Sequence, residues 1–408
     1  MKALIRLTLL LACTTLTAVA QDIVVEKDVA VPMRDGVVLR AEVWRPAGPG
    51  PFPVLVYRTP YNRQPAQRNS SIFPKAVERG YAVVIQDVRG RYGSDGEYLP
   101  YQQEGRDGYD TIEWAAAQPW SNGAVGTFGL SYPGAVQWLA ALERPPHLKA
   151  MVPAMTFATP SNFWYSGGVF DLSWIAWIWN NIAPNQRVRK NLPGPQSGEE
   201  ARAEWERSRE ALLGHLPLSE LPQLKDIAPY YYEWMRHPPG EKWWDWAELR
   251  NKYDRVGAAV LNLSGWYDEA YGPDGALNNF NGLVAARKNQ PHPRTKVIMG
   301  PWVHGVSTIA ETAAGERQFG PAAKLDYNEL ILRWMDHYLR GIDNGVEREK
   351  PVEVYVMGAD RWRQADRWPL PETRFTPLYL NGSSEKKKSL RWEAPKEKQA
   401  SSAFVSDA

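Results

Sequence analysis

Short apolar runs alternate with longer segments in the part of the chain that follows Pro53. The runs cover residues 54–57, 82–85, 125–128 and 149–152, and helix-length segments such as 109–117 separate them. Runs this short and this apolar are typical of strands that are buried on both faces, which occur in parallel sheets covered by helices. The pattern therefore predicts an α/β fold built on a parallel sheet.

An antiparallel hairpin is predicted ahead of these runs. Strand-like stretches at residues 23–31 and 37–43 flank Arg34-Asp35-Gly36, which is a hairpin turn sequence.

The alternation stops near Pro160 and returns with apolar runs at 259–263 and 296–299. The interval between is rich in Trp, Tyr, charged residues and proline, and we interpret it as a helical insertion over the sheet. A long amphipathic helix at 324–339 follows.

Beyond Pro351 the pattern changes to short strands, at residues 352–356, 361–363 and 377–380. We interpret them as the start of a β domain. The predicted parts are a core from 21 to 155, a helical cap from 156 to 250, the rest of the core from 251 to 345, and the β domain from 346 to 408.

The first twenty residues have the features of a secretory signal peptide. Lys2 and Arg6 precede an apolar stretch, and Ala18-Val19-Ala20 forms an A-x-A cleavage site. Export to the periplasm or the medium is therefore predicted. Lipoprotein processing at Cys13 is a weaker alternative, because the apolar stretch continues past the cysteine.

Composition narrows the functional classes. The net charge is only +2 and the basic residues are dispersed, so no nucleic-acid surface is predicted. No run after the signal is long enough to span a bilayer. Cys13 is the one cysteine, which leaves no disulfide or thiolate metal site after cleavage. The sequence predicts no cofactor and no metal, and it leaves the oligomeric state open.

Ser131 is the strongest candidate nucleophile. It lies in Gly129-Leu130-Ser131-Tyr132-Pro133-Gly134, after a predicted strand and before a predicted helix that starts near Tyr132. A nucleophile elbow needs this context, because the tight turn exposes the serine hydroxyl and tolerates only small neighbours. The turn also directs the Tyr132 amide toward a developing oxyanion.

His304 is the candidate general base. Of the six histidines, it alone directly follows a predicted core strand, through Gly300-Pro301-Trp302-Val303. Sheet-based enzymes present their catalytic groups at such strand ends. A histidine that caps a loop is the structural alternative.

Asp268 is the candidate for the acid that orients His304. It follows the strand at 259–263, and the order serine, acid, histidine is that of elbow enzymes. Glu269 and Asp274 are the nearest competitors. The three residues predict a serine hydrolase of α/β-hydrolase type that forms an acyl-enzyme.

Two further segments follow early strands of the predicted sheet. Tyr61 comes after the strand at 54–57, where its hydroxyl is within reach of an oxyanion, although spacing alone does not assign that role. Asp87 and Arg89 follow the strand at 82–85, and we expect them to pair with each other in a structural turn.

Aromatic side chains are candidates for a substrate pocket. The chain has 19 Trp and 19 Tyr, and each needs a partner for its polar atom when it is buried. We predict that Trp164, Tyr165 and Phe170 of the insertion line the pocket, together with Trp266. Packing inside the insertion is the alternative for each ring.

The sequence resembles the cocaine esterase-like (CocE/NonD) α/β-hydrolases, which are related to X-Pro dipeptidyl peptidases and α-amino-acid ester hydrolases. The matching stretches, in family order, are Arg58-Thr59-Pro60-Tyr61, Val84-Ile85-Gln86-Asp87-Val88-Arg89-Gly90, the Ser131 turn, Gly265-Trp266-Tyr267-Asp268 and Gly300-Pro301-Trp302-Val303-His304. The resemblance implies a triad of Ser131, Asp268 and His304. It also implies an oxyanion hole made by the Tyr61 hydroxyl and the Tyr132 amide.

The resemblance further implies a hydrolase core, a helical cap and a C-terminal jelly roll of galactose-binding type. Residues 346–408 are roughly half the length of such a sandwich, so we expect this domain to be truncated.

The expected substrate is a small-molecule ester or amide, or a short peptide. α-Amino-acid ester hydrolases carry carboxylates where this chain has Ala270 and Tyr271, which favours an apolar or aromatic acyl group. An X-Pro dipeptidyl aminopeptidase is the alternative enzyme. A non-catalytic protein that binds a carbohydrate or peptide is the alternative from another class.

Overall fold

The computed structural model describes residues 22–64, 66, 70–290, 294–381 and 389–395. The predicted signal peptide, with Cys13, lies outside these residues. The described part of the chain divides into two compact units, with the boundary between Gln364 and Ala365. None of the described helices combines the length and the apolar character that crossing a membrane requires.

A ten-stranded sheet runs through the described part of the first unit, in the order β1-β2-β4-β3-β5-β6-β9-β10-β13-β14. β1 and β2 form the predicted antiparallel hairpin, β2 is antiparallel to β4, and the neighbouring strands from β4 to β13 are parallel. The strands of this sheet are β1 Ile23–Pro32, β2 Val38–Pro46, β3 Phe52–Thr59, β4 Ala82–Asp87, β5 Ser121–Leu130, β6 Leu148–Ala154, β9 Ala259–Tyr267, β10 Thr295–Val303, β13 Val352–Val356 and β14 Arg361–Ala365.

Helices cover both faces of the sheet, and this confirms the predicted α/β class. β4 is buried at every position and β3 at nearly every one, as strands between two helical layers must be. One layer contributes side chains to the core cluster that extends into the cap, and the other packs on the opposite face. The first layer is α2 Glu104–Ala116, α3 Tyr132–Leu142 and α8 Asp274–Ala286, and the second is α1 Ile72–Glu78 and α9 Tyr327–Arg340.

The strand order reverses between β3 and β5. The chain goes from β3 to its neighbour β4, and then crosses back over β3 to reach β5. The two crossovers diverge at this point, which opens a crevice at the carboxyl ends of β3 and β5, the usual place for a ligand in such a sheet. Tyr61 follows β3 and Ser131 follows β5, so the topology brings both to this crevice.

The segment between β6 and β9 is the predicted helical cap. Its tryptophans form a buried aromatic core in which rings such as Trp164, Trp174 and Trp234 contact one another. Its elements are the hairpin β7 Tyr165–Ser166 and β8 Val169–Phe170, the helices α4 Ser173–Trp177, α5 Ala183–Lys190, α6 Gly198–Leu213 and α7 Tyr230–Arg236, and a π-helical turn, Ile178–Ile182, that joins α4 to α5.

Short 3₁₀ helices complete the cap and the later connections. They are Pro160–Asn162, Leu218–Glu220, Pro222–Leu224, Lys242–Trp246, Tyr253–Arg255, Ser307–Ala310, Pro321–Ala323 and Val346–Arg348. A two-stranded hairpin, β11 Ala313–Ala314 and β12 Arg317–Gln318, lies between β10 and α9.

The sequence placed the first strands after Pro351 in the wrong part of the fold. We expected residues 352–356 and 361–363 to begin the β domain, but β13 pairs in parallel with β10 and extends the core sheet, followed by β14. β13 is apolar enough to be buried beside β10, and an apolar run does not reveal which sheet it joins. In the second unit, β15 Tyr379–Asn381 pairs with β16 Ser389–Arg391.

Asp87 and Arg89 do not pair with each other. The buried Asp87 carboxylate accepts hydrogen bonds from Arg63, whereas Arg89 binds Asp107 and Asp35. Both residues are structural, as expected. Their partners lie on other loops and helices, because the two side chains leave the β4 end in different directions.

Gly265 sets the separation of β9 and β10. A Cβ on Gly265 would lie 2.1 Å from the Trp302 carbonyl oxygen, whereas a Cβ on the exposed Gly257 would meet nothing within 4 Å. We expect Gly265→Ala to lower the free energy of unfolding by about 1–3 kcal/mol, since the strands must move apart. Gly257→Ala is the matched control, with an effect within about 0.5 kcal/mol. Urea denaturation measures both, and equal midpoints would contradict this prediction.

Candidate active site

The backbone at Ser131 adopts a strained conformation between β5 and α3. Its φ of 69° and ψ of −129° are rare for a residue with a side chain. Close packing around it requires glycine on both sides. A Cβ on Gly129 would lie 2.5 Å from the Pro133 Cβ, and one on Gly134 would lie 2.6 Å from the Ala154 carbonyl oxygen. The predicted nucleophile elbow is therefore present in this geometry.

Gln137 fixes the elbow from beneath. Its buried amide nitrogen donates to the carbonyl oxygens of Gly129, Pro133 and Val152. Its amide oxygen accepts from the Val152 N–H at 3.1 Å. One side chain thus ties α3 to the ends of β5 and β6, a role that the sequence pattern did not indicate.

Asp268 and His304 meet at the adjacent strand ends. The residues that precede them, Tyr267 and Val303, are partners in the parallel register of β9 and β10. His304 Nδ1 lies 2.8 Å from Asp268 Oδ1, and the Asp268 side chain is fully buried. Glu269, the competing acid, instead accepts the His304 backbone N–H at 3.0 Å. The structure thus pairs the imidazole with the acid that we ranked first.

The remaining bonds of Asp268 hold its carboxylate in place. Oδ1 also accepts the backbone N–H groups of Ala270 and Tyr271, at 3.1 and 3.3 Å. Oδ2 is 3.4 Å from the Ser264 hydroxyl. Asp274, the third candidate, is the first residue of α8.

Tyr271 links the nucleophile to the base. Its ring stacks on the His304 imidazole, with centroids 5.5 Å apart, and on Phe163 at 4.2 Å. Burial raises the pKa of the Tyr271 hydroxyl, while hydrogen bonds with Tyr101 and Ser131 act in the opposite direction. Tyr271 is three residues past Asp268, and the sequence gave no sign of this contact, because it depends on how the cap packs.

Tyr61 and Tyr132 lie at the predicted oxyanion site. Burial raises the pKa of the Tyr61 hydroxyl, and hydrogen bonds with Trp177 and Ser131 oppose that rise. Tyr132 is the first residue of α3, where a backbone N–H has no acceptor within the helix and faces the turn. The edges of the two tyrosine rings approach each other, with centroids 6.5 Å apart.

A buried charge pair supports the Tyr132 side chain. The Tyr132 hydroxyl donates to Glu104 at 2.7 Å, and Glu104 forms an ion pair with Arg58 at 2.8 Å. Burial raises the pKa of Glu104, and the Arg58 charge opposes that rise. The arrangement fixes the tyrosine whose amide begins α3.

The predicted pocket rings lie in different environments. Trp164 is completely buried in the aromatic core of the cap, as its alternative interpretation predicted. The Tyr165 hydroxyl donates to the Trp234 carbonyl oxygen, and Phe170 packs against Tyr165. The Trp266 indole donates to the carbonyl oxygen of Tyr355, on β13. Substrate contact by Tyr165, Phe170 and Trp266 stays a prediction.

Two family models match the chain. One, described as X-Pro dipeptidyl-peptidase (S15 family), covers residues 35–306. The other, described as the X-Pro dipeptidyl-peptidase C-terminal non-catalytic domain, covers residues 344–406. The first match includes the Ser131 turn, Asp268 and His304.

Cocaine esterase of Rhodococcus sp. (strain MB1 Bresler) is a curated relative, 33% identical over 372 residues. The match covers 88% of this chain and 62% of the esterase, so the chain spans about three fifths of that relative's length.

Two solved structures share the fold. An aminopeptidase from a marine sediment Thaumarchaeota archaeon has a TM-score of 0.68 at 24% identity. An α-amino acid ester hydrolase has a TM-score of 0.69 at 23% identity. Each match covers 93% of this chain and 64% of the other.

The two neighbouring acids have different expected contributions. We expect Asp268→Asn to lower kcat by about 10³–10⁴-fold, because an amide no longer holds the imidazole in the tautomer that accepts a proton. Glu269→Gln is the matched control and should change kcat less than about tenfold, since its contact is to a backbone N–H. Ester hydrolysis under saturating substrate measures both. A larger loss in Glu269→Gln would transfer the role to that residue.

Proposed function

The chain belongs to the X-Pro dipeptidyl-peptidase (S15) family, and from this premise we propose that it is a serine hydrolase that cleaves an ester or amide through an acyl-enzyme. The observation that carries the proposal is the pairing of His304 with a fully buried Asp268 at the same sheet edge as the strained Ser131 turn. A protein that only binds its ligand gains nothing from such an arrangement.

In the proposed mechanism, the Ser131 Oγ attacks the carbonyl carbon of the substrate. Asp268 accepts at Nδ1 of His304, so the neutral imidazole keeps its proton there and Nε2 takes the serine proton. The carbonyl oxygen becomes an oxyanion, which the Tyr61 hydroxyl and the Tyr132 amide stabilise as donors.

Collapse of this intermediate breaks the bond to the leaving group, which receives the proton from His304. Water then attacks the acyl-enzyme, again with His304 as the base. The acid is released, and the proton returns to Ser131.

The surroundings of Ser131 support an apolar or aromatic acyl group. Tyr271 bonds to Ser131 through its hydroxyl and stacks on Phe163, and the Trp177 ring stacks over Tyr132 with centroids 6.3 Å apart. Rings of this kind favour flat apolar groups by burial and by offset stacking. The likeness to cocaine esterase supports an ester as the substrate.

X-Pro dipeptidyl aminopeptidase activity is the second candidate. The family description favours it, and so does one contact. Glu269 is an exposed carboxylate beside His304, where it is placed to pair with the ammonium group of a peptide.

Removal of the Ser131 hydroxyl should abolish turnover. We expect Ser131→Ala to lower the rate of p-nitrophenyl ester hydrolysis by about 10⁶-fold, to the level left by the other groups of the site. Circular dichroism should show the wild-type fold, since the change removes one atom. Tyr61→Phe, which loses one oxyanion donor, should cost about 10²-fold in kcat. A Ser131→Ala enzyme that retains its activity would contradict the mechanism.

The leaving group and acyl group distinguish the two candidate activities. We expect kcat/KM to rank p-nitrophenyl benzoate above p-nitrophenyl acetate, and both at least about a hundredfold above Ala-Pro and Gly-Pro p-nitroanilides. The reverse order, together with a large loss of anilide cleavage in Glu269→Gln, would favour the dipeptidyl peptidase. The same enzyme preparation serves all four assays.

A further inference from the structure

One tryptophan of the cap contacts both residues of the proposed oxyanion hole. The Trp177 indole Nε1 donates to the Tyr61 hydroxyl oxygen at 3.0 Å. The Trp177 ring also lies parallel to the Tyr132 ring, with an interplanar angle of 12°. Trp177 is the last residue of α4, directly before the π-helical turn.

The Trp177 contact fixes the direction in which Tyr61 donates. An indole N–H can only donate, so the Tyr61 oxygen must be the acceptor of this bond. The Tyr61 proton then points elsewhere, and Ser131 is the other side chain that bonds to this hydroxyl. A hydroxyl that accepts one hydrogen bond also becomes a stronger donor, because hydrogen bonds in a chain polarise one another.

Arg91 holds the cap helix against the Tyr61 loop. Its guanidinium is fully buried, and Nε donates to the Pro60 carbonyl oxygen at 2.8 Å. Nη1 and Nη2 donate to the carbonyl oxygens of Ile182 and Asn181, each at 2.9 Å. Both acceptors lie in the π-helical turn, where the altered register frees carbonyl groups. The guanidinium therefore fixes the distance between Trp177 and Tyr61.

The Trp177 bond is selective among neighbouring cap tryptophans. Trp174 and Trp179 lie within three residues of Trp177 and are buried, yet their indole nitrogens have no hydrogen-bond partner among the described residues. Packing alone therefore does not produce such a bond in this helix.

We propose that Trp177 is a positioning residue for the oxyanion hole, which orients the Tyr61 hydroxyl proton toward the substrate oxygen through its indole N–H. The cap thereby completes a site whose nucleophile, base and acid all come from the sheet. This inference rests on the proposed function, in which Tyr61 is an oxyanion donor.

A double-mutant cycle between Trp177 and Tyr61 tests the proposal. We expect Trp177→Phe to lower kcat for p-nitrophenyl benzoate by about three- to tenfold, the effect of one lost hydrogen bond, with KM changed less than about twofold. In a Tyr61→Phe background, where the acceptor is absent, the same change should cost less than about twofold, so the two effects are not additive.

Trp179→Phe is the matched control. It removes the same indole group two residues away, where the N–H has no partner among the described residues, and it should change kcat less than about twofold. Titration with a fluorophosphonate counts functional sites, so that every rate refers to folded enzyme. If Trp177→Phe does not fold, Trp177→Met supplies a flexible apolar side chain of similar reach without a donor.

Three results would overturn the proposal. They are a kcat in Trp177→Phe equal to that of Trp179→Phe, an unchanged loss from Trp177→Phe in the Tyr61→Phe background, and a loss that appears only in KM. Failure of the proposed function looks different. In that case Ser131→Ala retains turnover, or Tyr61→Phe alone has no effect on kcat.

Discussion

The left-handed backbone conformation of Ser131 depends on backbone groups that approach too closely to admit a Cβ at Gly129 or Gly134. A strained φ persists only where the surrounding structure enforces it. Here β5, β6 and α3 do so, joined by the three carbonyl acceptors of Gln137. The turn therefore stands on the most buried part of the fold, and the remaining functional groups are arranged around it.

The sheet and the cap contribute different parts of the site. The parallel register of β9 and β10 places Asp268 beside His304 without help from the cap. The environment of these groups comes from elsewhere. Phe163 of the cap stacks on Tyr271, which stacks on the imidazole, and Trp177 bonds to Tyr61. Chemistry that uses the sheet residues thus depends on a docked cap.

The sequence located the sheet residues because short apolar runs and chain order locate parallel strand ends. Ser131, Asp268 and His304 each follow such a run directly, and no tertiary information was needed to align them. Tyr271, Trp177 and Gln137 carry no such signal, since their roles depend on contacts between segments that are far apart in the chain. For the same reason, the partner of Asp87 and the sheet that β13 joins were assigned wrongly.

Covalent labelling tests the central claim most directly. The wild-type protein is treated with a fluorophosphonate, digested, and analysed by mass spectrometry to locate the phosphonylated residue. If Ser131 is a nucleophile activated by His304, a single adduct should form on the peptide that contains Ser131, and Asp268→Asn should form it much more slowly. An adduct on another serine, or a folded wild-type protein that stays unlabelled, would contradict the assignment of this site.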